Sequence, residues 1–413
     1  MFLHYTPASV IEVFLIKNAI LYITRNGMLE PLGQSQVLSY LRGLSENYRA
    51  SLISFEKSED LEDKQAFGRV AADCDKHGIR WLPQRFHYRP KVIAPAWSML
   101  VFLFLCLREV RKGNADLIHA RAYIPAAVAL LVQKLTGTPF IFDMRALWPE
   151  ELITAGRLKR GSLMHKAIAW IERSRLKNAA AVVSLTHAAG DYLREQYPEE
   201  LKNQNVVVIP TCADLNRFSP VENTAISGPV YSCVGTVLSG WFHLDWLANF
   251  FHAVAKRDPQ ARFEVVTKDN PDKVRKQISG GQEFQKRLSV FGLPSYEVHK
   301  AVQKHTVSAM FFSQGVSKLG SSPTRMGEIL GCGLPVVANS GVGDVARIVE
   351  KYRVGILVSE GSEQAMTHAI DQLEELRKDP ELPARCRRAA EEVFSLESGT
   401  AAYDALYSKL VRS

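Results

Sequence analysis

Hydrophobic residues in this chain follow two alternating rhythms. Short β-branched runs at residues 20–24 and 51–55 read as strands. Residues 34–47 between them read as a helix, because Val37, Tyr40, Leu41 and Leu44 recur at i, i+3, i+4 and i+7. Such alternation is the pattern of βαβ units. It continues with strands predicted at 79–82, 116–119, 139–143, 181–185 and 206–209, and helices near 59–77, 91–112, 124–136, 162–178 and 187–197. Residues 216–229, with their Pro, Asn and Ser, break the rhythm and read as a linker. A second series of strands follows at 230–235, 263–267, 288–291, 308–312, 335–339 and 354–358, and helical residues from 385 onward end the chain. The expected fold class is therefore α/β. Residues 1–215 and 230–384 form two Rossmann-like, doubly wound domains, and residues 385–413 a C-terminal helical segment.

Composition narrows this picture in four ways. A chain of 413 residues exceeds what one hydrophobic core usually serves, which supports two domains. Its six cysteines are scattered singly, with no C-x-x-C pair and no His/Cys cluster at metal spacing, so reduced thiols and no structural metal are expected. Residues 1–210 carry 27 Lys and Arg against 20 Asp and Glu, whereas residues 211–413 carry 24 against 23. The basic excess belongs to the first half, as for a surface that meets membrane headgroups or another anion. No nucleic-acid-binding signature accompanies it. Residues 1–16 lack the basic start and cleavage site of a secretory signal. The longest apolar run, 93–107, is short of the roughly 20 residues that span a bilayer. Preceded by the basic-aromatic stretch 85–91, it reads either as a buried crossover helix or as a helix dipping into an anionic interface.

Open α/β sheets bind ligands beyond the carboxyl ends of their strands, and the chemistry-bearing residues gather there. After the first strand, residues 26–35 form a glycine-containing loop that ends at Gly33 and has neither dinucleotide nor P-loop spacing. After the strand at 308–312, Ser321, Ser322 and Thr324 offer hydroxyl caps, and Pro323 suits a first helical turn. A helix N-terminus there attracts phosphate, Arg325 adds a cation, and Glu328 one turn on is placed for ribose hydroxyls. The plainer reading is a capped helix with an i, i+3 ion pair. Further on, Asn339, Gly341, Val342, Gly343 and Asp344 lead into a second helix start, with Asp344 read as its N-cap or first-turn carboxylate. In the first domain, Asp143 and Arg145 sit beside Trp148, Glu150 and Glu151 at a strand end, a combination suited to sugar hydroxyls and rings. Arg121 follows the strand 116–119, and His119 within it reads as a core histidine.

With these residues in view, the chain resembles family 4 (group 1) glycosyltransferases over roughly residues 18–411. The resemblance rests on an F-D-M-R-G-x-W-x-x-E-like segment at 142–151, an S-S-P-T-K-x-x-E-like segment at 321–328 and a G-x-P-V-x-x-N-x-G-V-G-D segment at 333–344. It implies a GT-B fold, with the final helix crossing back to the first domain. It also implies a nucleotide-diphosphate sugar held mainly by the second domain, an acceptor held mainly by the first, retention at the anomeric carbon and no metal or other cofactor. The departures are chemical. Gly320 stands where many members have the first of two glutamates eight apart, Arg325 replaces the usual Lys, and Ala146 the usual Gly. Residues 235–241 lack the usual cations after the second domain's first strand, and Arg121 stands where many members have a histidine. The diphosphate is then expected to lean on Arg325 and on the loop amides of 341–344.

The reading that follows is a glycosyltransferase that moves sugar to a saccharide or lipid-linked saccharide acceptor in bacterial cell-surface polysaccharide synthesis. It is expected in the cytoplasm, with peripheral contact to an anionic membrane and no nucleic-acid partner. The competing readings are a nucleotide-sugar epimerase or hydrolase on the same scaffold, and a catalytically silent sugar-nucleotide-binding subunit.

Overall fold

Strands that are apolar along their whole length are stable only when both faces are covered, and here they form two fully parallel sheets. The computed structural model describes residues 17–86, 93–221 and 228–411. The reading of residues 1–16, most of the stretch 85–91 and the centre of the linker lie outside the described residues. The first sheet runs β3-β2-β1-β4-β5-β6-β7. Its strands are β1 (Ala19–Ile23), β2 (Arg49–Glu56), β3 (Arg80–Arg85), β4 (Leu117–Arg121), β5 (Phe140–Asp143), β6 (Ala181–Ser184) and β7 (Val206–Val208). The second runs β10-β9-β8-β11-β12-β13, from β8 (Val230–Val234), β9 (Arg262–Val266), β10 (Leu288–Phe291), β11 (Val307–Met310), β12 (Val336–Asn339) and β13 (Gly355–Val358). In each sheet the order reverses beside the first strand, between β1 and β4 and between β8 and β11. These switch points are where open sheets take ligands.

Every predicted strand is present, and the differences lie at element ends. β4 extends to Arg121, so this arginine is the last residue of the strand rather than lying beyond it. The first helix begins at Pro31, whose fixed φ suits a first turn, and passes through one π-helical turn, Gln34–Leu38, before ending at Leu44. A helix at Trp148–Thr154 was not expected. Pro149 in its first turn and the acids Glu150 and Glu151 beside the positive end of its dipole account for it. The apolar run near 93–107 lies in the helix Ile93–Arg111. Phe102 and Cys106 are buried against the sheet, while Trp97, Leu100 and Phe104 face outward. No helix among the described residues is long and apolar enough to cross a membrane.

The last two helices join the domains. Leu382–Phe394 packs on the helix Thr324–Gly331 of the second domain. Leu396–Val411 returns to the first sheet, where Tyr403, Leu406 and Tyr407 are buried against Ile20, Leu117 and Ile141. All six cysteines are buried and unpaired.

Candidate functional site

At the first sheet's switch point the strand ends deliver a polar cluster into the interior. Asp143, the last residue of β5, is fully buried. Its carboxylate accepts hydrogen bonds from His119 Nε2 at 3.2 Å and Tyr403 Oη at 3.3 Å, lies 3.3 Å from Arg145 Nη1 and is ion-paired with Arg121 Nη1 at 3.8 Å. Burial alone would raise this carboxyl. Arg145, His119 and Arg121 outweigh burial and hold it well below the usual carboxylate range. His119, wholly buried, is kept neutral mainly by burial. Because Asp143 only accepts, Nε2 of His119 carries the proton, and Nδ1 accepts from Tyr407 Oη at 2.5 Å. The histidine is thus a core group bound to the terminal helix. The cluster brings together three of the four expected catalytic residues, Asp143, Arg145 and Arg121, but places their shared carboxylate out of reach of a sugar. Arg121 Nε and Nη1 and Arg145 Nε are buried without hydrogen-bond partners. Directly after Arg121, Ala122 holds φ at +74°, a conformation that costs a non-glycine residue on the order of 1–3 kcal/mol and that tends to mark functional sites.

The fourth, Arg325, lies across the molecule at the second switch point. A cavity of about 480 Å³ opens there beyond the ends of β8 and β11. It is lined by the backbone turn at Gly235 and Thr236, by Trp241, Phe242 and Phe312, and by Ser321, Ser322, Pro323, Thr324 and Arg325. The helix Thr324–Gly331 starts at this wall. Pro323 occupies its N-cap rather than its first turn, and no side-chain cap takes its amides. The expected serine cap is absent because Ser322 is engaged elsewhere: Thr211 N donates to its hydroxyl at 3.3 Å and Thr211 Oγ1 to its carbonyl at 3.0 Å. Arg325 faces the cavity and pairs with Glu328, so the plain i, i+3 pair and the cavity-lining cation are the same residue. Burial raises the Glu328 carboxyl against the pull of Arg325. Glu328 pairs with Arg325 and is not among the residues that line the cavity.

Three further expectations are revised by the structure. Asn339 does not face a ligand: its side chain accepts from Phe312 N at 2.8 Å and donates to Phe312 O at 2.9 Å, fixing the strand end that carries the Phe312 ring. In the glycine loop, Gly341 stands at positive φ against the Gln314 side chain and Val342 lines the cavity. Gly343 N donates to Lys318 O at 2.9 Å and is not available to a phosphate. Gly33 is buried, and the space beside its α-carbon is filled by the Gly27 carbonyl, so it serves chain packing rather than ligand approach.

Asp344 makes no cap to its own helix. Its carboxylate instead accepts from His187 N at 2.7 Å, Ala188 N at 3.0 Å and His187 Nδ1 at 2.8 Å, capping the helix His187–Gln196 of the other domain. Asp344→Ala is expected to cost about 1 kcal/mol, the usual value of an N-cap, and to loosen the domain contact. Urea denaturation checks the first effect, and faster proteolysis between the domains the second.

Residues 33–217 match the family described as Glycosyltransferase Family 4, and residues 228–375 match Glycosyl transferases group 1. The chain belongs to the family 4, group 1 glycosyltransferases. Alpha-maltose-1-phosphate synthase of Mycolicibacterium smegmatis is 23% identical over 304 residues, covering 67% of this chain and 74% of the relative. Among solved structures, a glycosyltransferase from Rickettsia africae superposes with a TM-score of 0.68 at 16% identity, covering 96% of this chain and 99% of that one. Anabaena HepE, in complex with UDP and glucose, superposes with a TM-score of 0.62 at 15% identity, covering 94% and 99%. The fold is the GT-B fold shared by these glycosyltransferases.

Against the family pattern, the structure adds one cation that the sequence reading missed. Lys318, on the short turn Val316–Gly320, lines the cavity with its Nζ 2.9 Å from the centroid of the Trp241 ring. Burial lowers its ammonium to about 8, with Glu151 of the first domain pulling the other way. The turn is held from across the cleft: Thr154 Oγ1 donates to Ser317 Oγ at 3.2 Å, and Thr186 Oγ1 donates to Leu319 O. Lys318 stands two residues before Gly320, where many members of the family have glutamate.

Proposed function

We propose that this glycosyltransferase takes a sugar from a nucleoside-diphosphate donor held in the second-domain cavity and passes it to an acceptor held against the first domain. The observation that carries the reading is the placement of Lys318, Arg325 and an uncapped helix N-terminus around one cavity at the switch point of the second sheet. Two cations and aligned backbone dipoles match a diphosphate, and the aromatic lining of Trp241, Phe242 and Phe312 matches a flat base or ring. The UDP held by the related Anabaena structure supports this assignment. In this reading the leaving diphosphate is stabilised by Lys318 and Arg325 without a metal. The acceptor hydroxyl attacks the same face of the sugar, giving retention through positioning and electrostatics. Double displacement asks for two carboxylates flanking the sugar, and Gly320 removes one of the family's pair. On the acceptor side, the reading is a saccharide or lipid-linked saccharide held beyond the strand ends that carry Arg121 and Asp143. That is the kind of acceptor used in cell-surface polysaccharide assembly on the cytoplasmic side of a membrane.

A panel of nucleotide sugars, each incubated with and without saccharide acceptors, tests the reading by product analysis. Sugar transfer with retained anomeric configuration is expected. Conversion of a donor to its epimer with no acceptor present would replace transfer by epimerisation. Arg325→Ala is expected to weaken donor turnover by about tenfold, the value of one charge-assisted contact, with Lys318 remaining in place. Unchanged turnover and donor affinity in that variant would remove Arg325 from the site.

A further inference from the structure

Three helices cover one face of the first sheet side by side: Ile93–Arg111, Tyr123–Thr136 and Leu163–Asn178. Their inner faces are ordinary, with Phe102, Ala126, Ala129, Val132 and Leu176 buried in the core. Their outer faces are not. Trp97, Leu100 and Phe104 follow one another at i, i+3 and i+7 on the first helix, with Phe104 66% exposed. On the second helix Leu135 is 67% exposed, and on the third Leu163 is 85% and Trp170 69% exposed. The surface helix Glu363–Arg377 in the other domain shows the normal arrangement, presenting Glu363, Thr367, Asp371 and Glu375 to water over buried Met366, Ile370 and Leu373. Burial cannot explain the apolar outer row, because these side chains already lie outside a filled core. Exposed apolar surface of this extent on a domain is a contact surface.

The charges on the same helices indicate what it contacts. They contain two acids, Glu109 and Glu172, and both are buried. Glu109 is held by Arg80, Arg108 and Asn114, and Glu172 by Tyr123 and Tyr197. Their exposed charges are all positive: Arg111, Lys134, Lys166, Arg173 and Lys177. This is where the basic excess of the first half resides. A second copy of the chain placed on this face by a twofold axis would set cation against cation. A layer of anionic headgroups over an apolar interior satisfies both parts of the surface. Tryptophans rest at the boundary, Leu and Phe enter it, and Lys and Arg remain among the phosphates.

We propose that this three-helix face is a membrane-docking surface that seats the first domain on an anionic bilayer. It deepens the proposed function, on which it rests only for its purpose, by presenting the acceptor-binding domain to lipid-linked acceptors while the donor cavity stays with the other domain.

The test is co-sedimentation of the full chain with vesicles of phosphatidylcholine alone and of phosphatidylcholine mixed with phosphatidylglycerol. It compares wild type with a variant carrying Trp97→Ser, Phe104→Ser, Leu135→Ser and Trp170→Ser. Wild type is expected to bind the anionic vesicles at least about tenfold more tightly than the neutral ones, with added salt narrowing the difference. The variant is expected to lose that binding while keeping the same UDP-induced rise in melting temperature. A second variant, Lys166→Glu with Lys177→Glu, is expected to lose the preference for anionic vesicles. Equal binding of wild type to both vesicles, undiminished binding by the fourfold variant, or a wild-type dimer abolished by the same substitutions would overturn the proposal. Vesicle binding without any donor-induced stabilisation of wild type would instead count against the proposed transfer and leave the docking surface standing.

Discussion

Exchanging Lys318 for methionine is expected to lower kcat/KM for the sugar donor by about 10²-fold, the range seen when one preorganised charge at a transition state is removed. Methionine keeps the length and the contact with the Trp241 ring but not the charge. A packing role would therefore survive the exchange, and an electrostatic one would not. The pH profile separates the two further. With its ammonium lowered to about 8 by burial, Lys318 is largely protonated at pH 7 and largely neutral at pH 9 in the free protein. As a cation that must be charged to act, it makes log kcat/KM fall as pH rises through about 8. Bound diphosphate favours the charged form, so the corresponding fall in kcat is displaced to higher pH, and donor binding near pH 8 takes up a proton. Isothermal titration in buffers of different ionisation enthalpy measures that uptake. If Lys318→Met keeps wild-type kcat/KM and the same alkaline limb, the cation at the diphosphate is another residue.

Why Lys318 escaped the sequence reading shows which parts of this protein are legible in one dimension. The strands were, because parallel β-strands announce themselves locally as β-branched runs between amphipathic stretches, and each such signal lies within a few residues. Arg325 and its helix start were legible for the same reason. The contacts that complete the site join residues far apart in sequence. Lys318 meets Trp241 across two strands of the sheet, and Asp344 caps a helix that begins at His187 in the other domain. By spacing alone Asp344 belonged to its own helix, and the pattern held no signal that a closer amide lay across the cleft. Gly320 is a similar case. As a departure from the family it looked like a lost carboxylate, but an added Cβ there would meet Leu147 N at 3.0 Å, so the residue is small where the first domain's backbone comes near. With a side chain crowded at that position, the cation two residues earlier in the same turn gains weight in the cavity.

The buried cluster at the first switch point yields a prediction of another kind, on stability. Asp143→Asn is expected to destabilise the protein by about 3–5 kcal/mol, because it leaves the Arg145 and Arg121 guanidinium groups in the interior without their counter-charge. Tyr403→Phe removes one of the hydrogen bonds to the same carboxylate and is expected to cost about 1 kcal/mol. The ordering of the two variants in urea distinguishes a charge effect from a loss of packing, since the smaller chemical change should have the larger consequence. The pH dependence follows from the direction of the carboxyl's shift. Its folded-state value lies below its unfolded one, which is about 3.9, so its contribution is fully present above that value and is lost as pH falls toward the folded one. The stability gap between wild type and Asp143→Asn should therefore stay constant from pH 7 to about pH 5 and close below about pH 4. A gap that widened on acidification would mean that Asp143 is a neutral acid in the folded protein. Arg121 and Arg145 would then carry two uncompensated charges in the interior, and the cost of the cluster would have to be met by the rest of the fold.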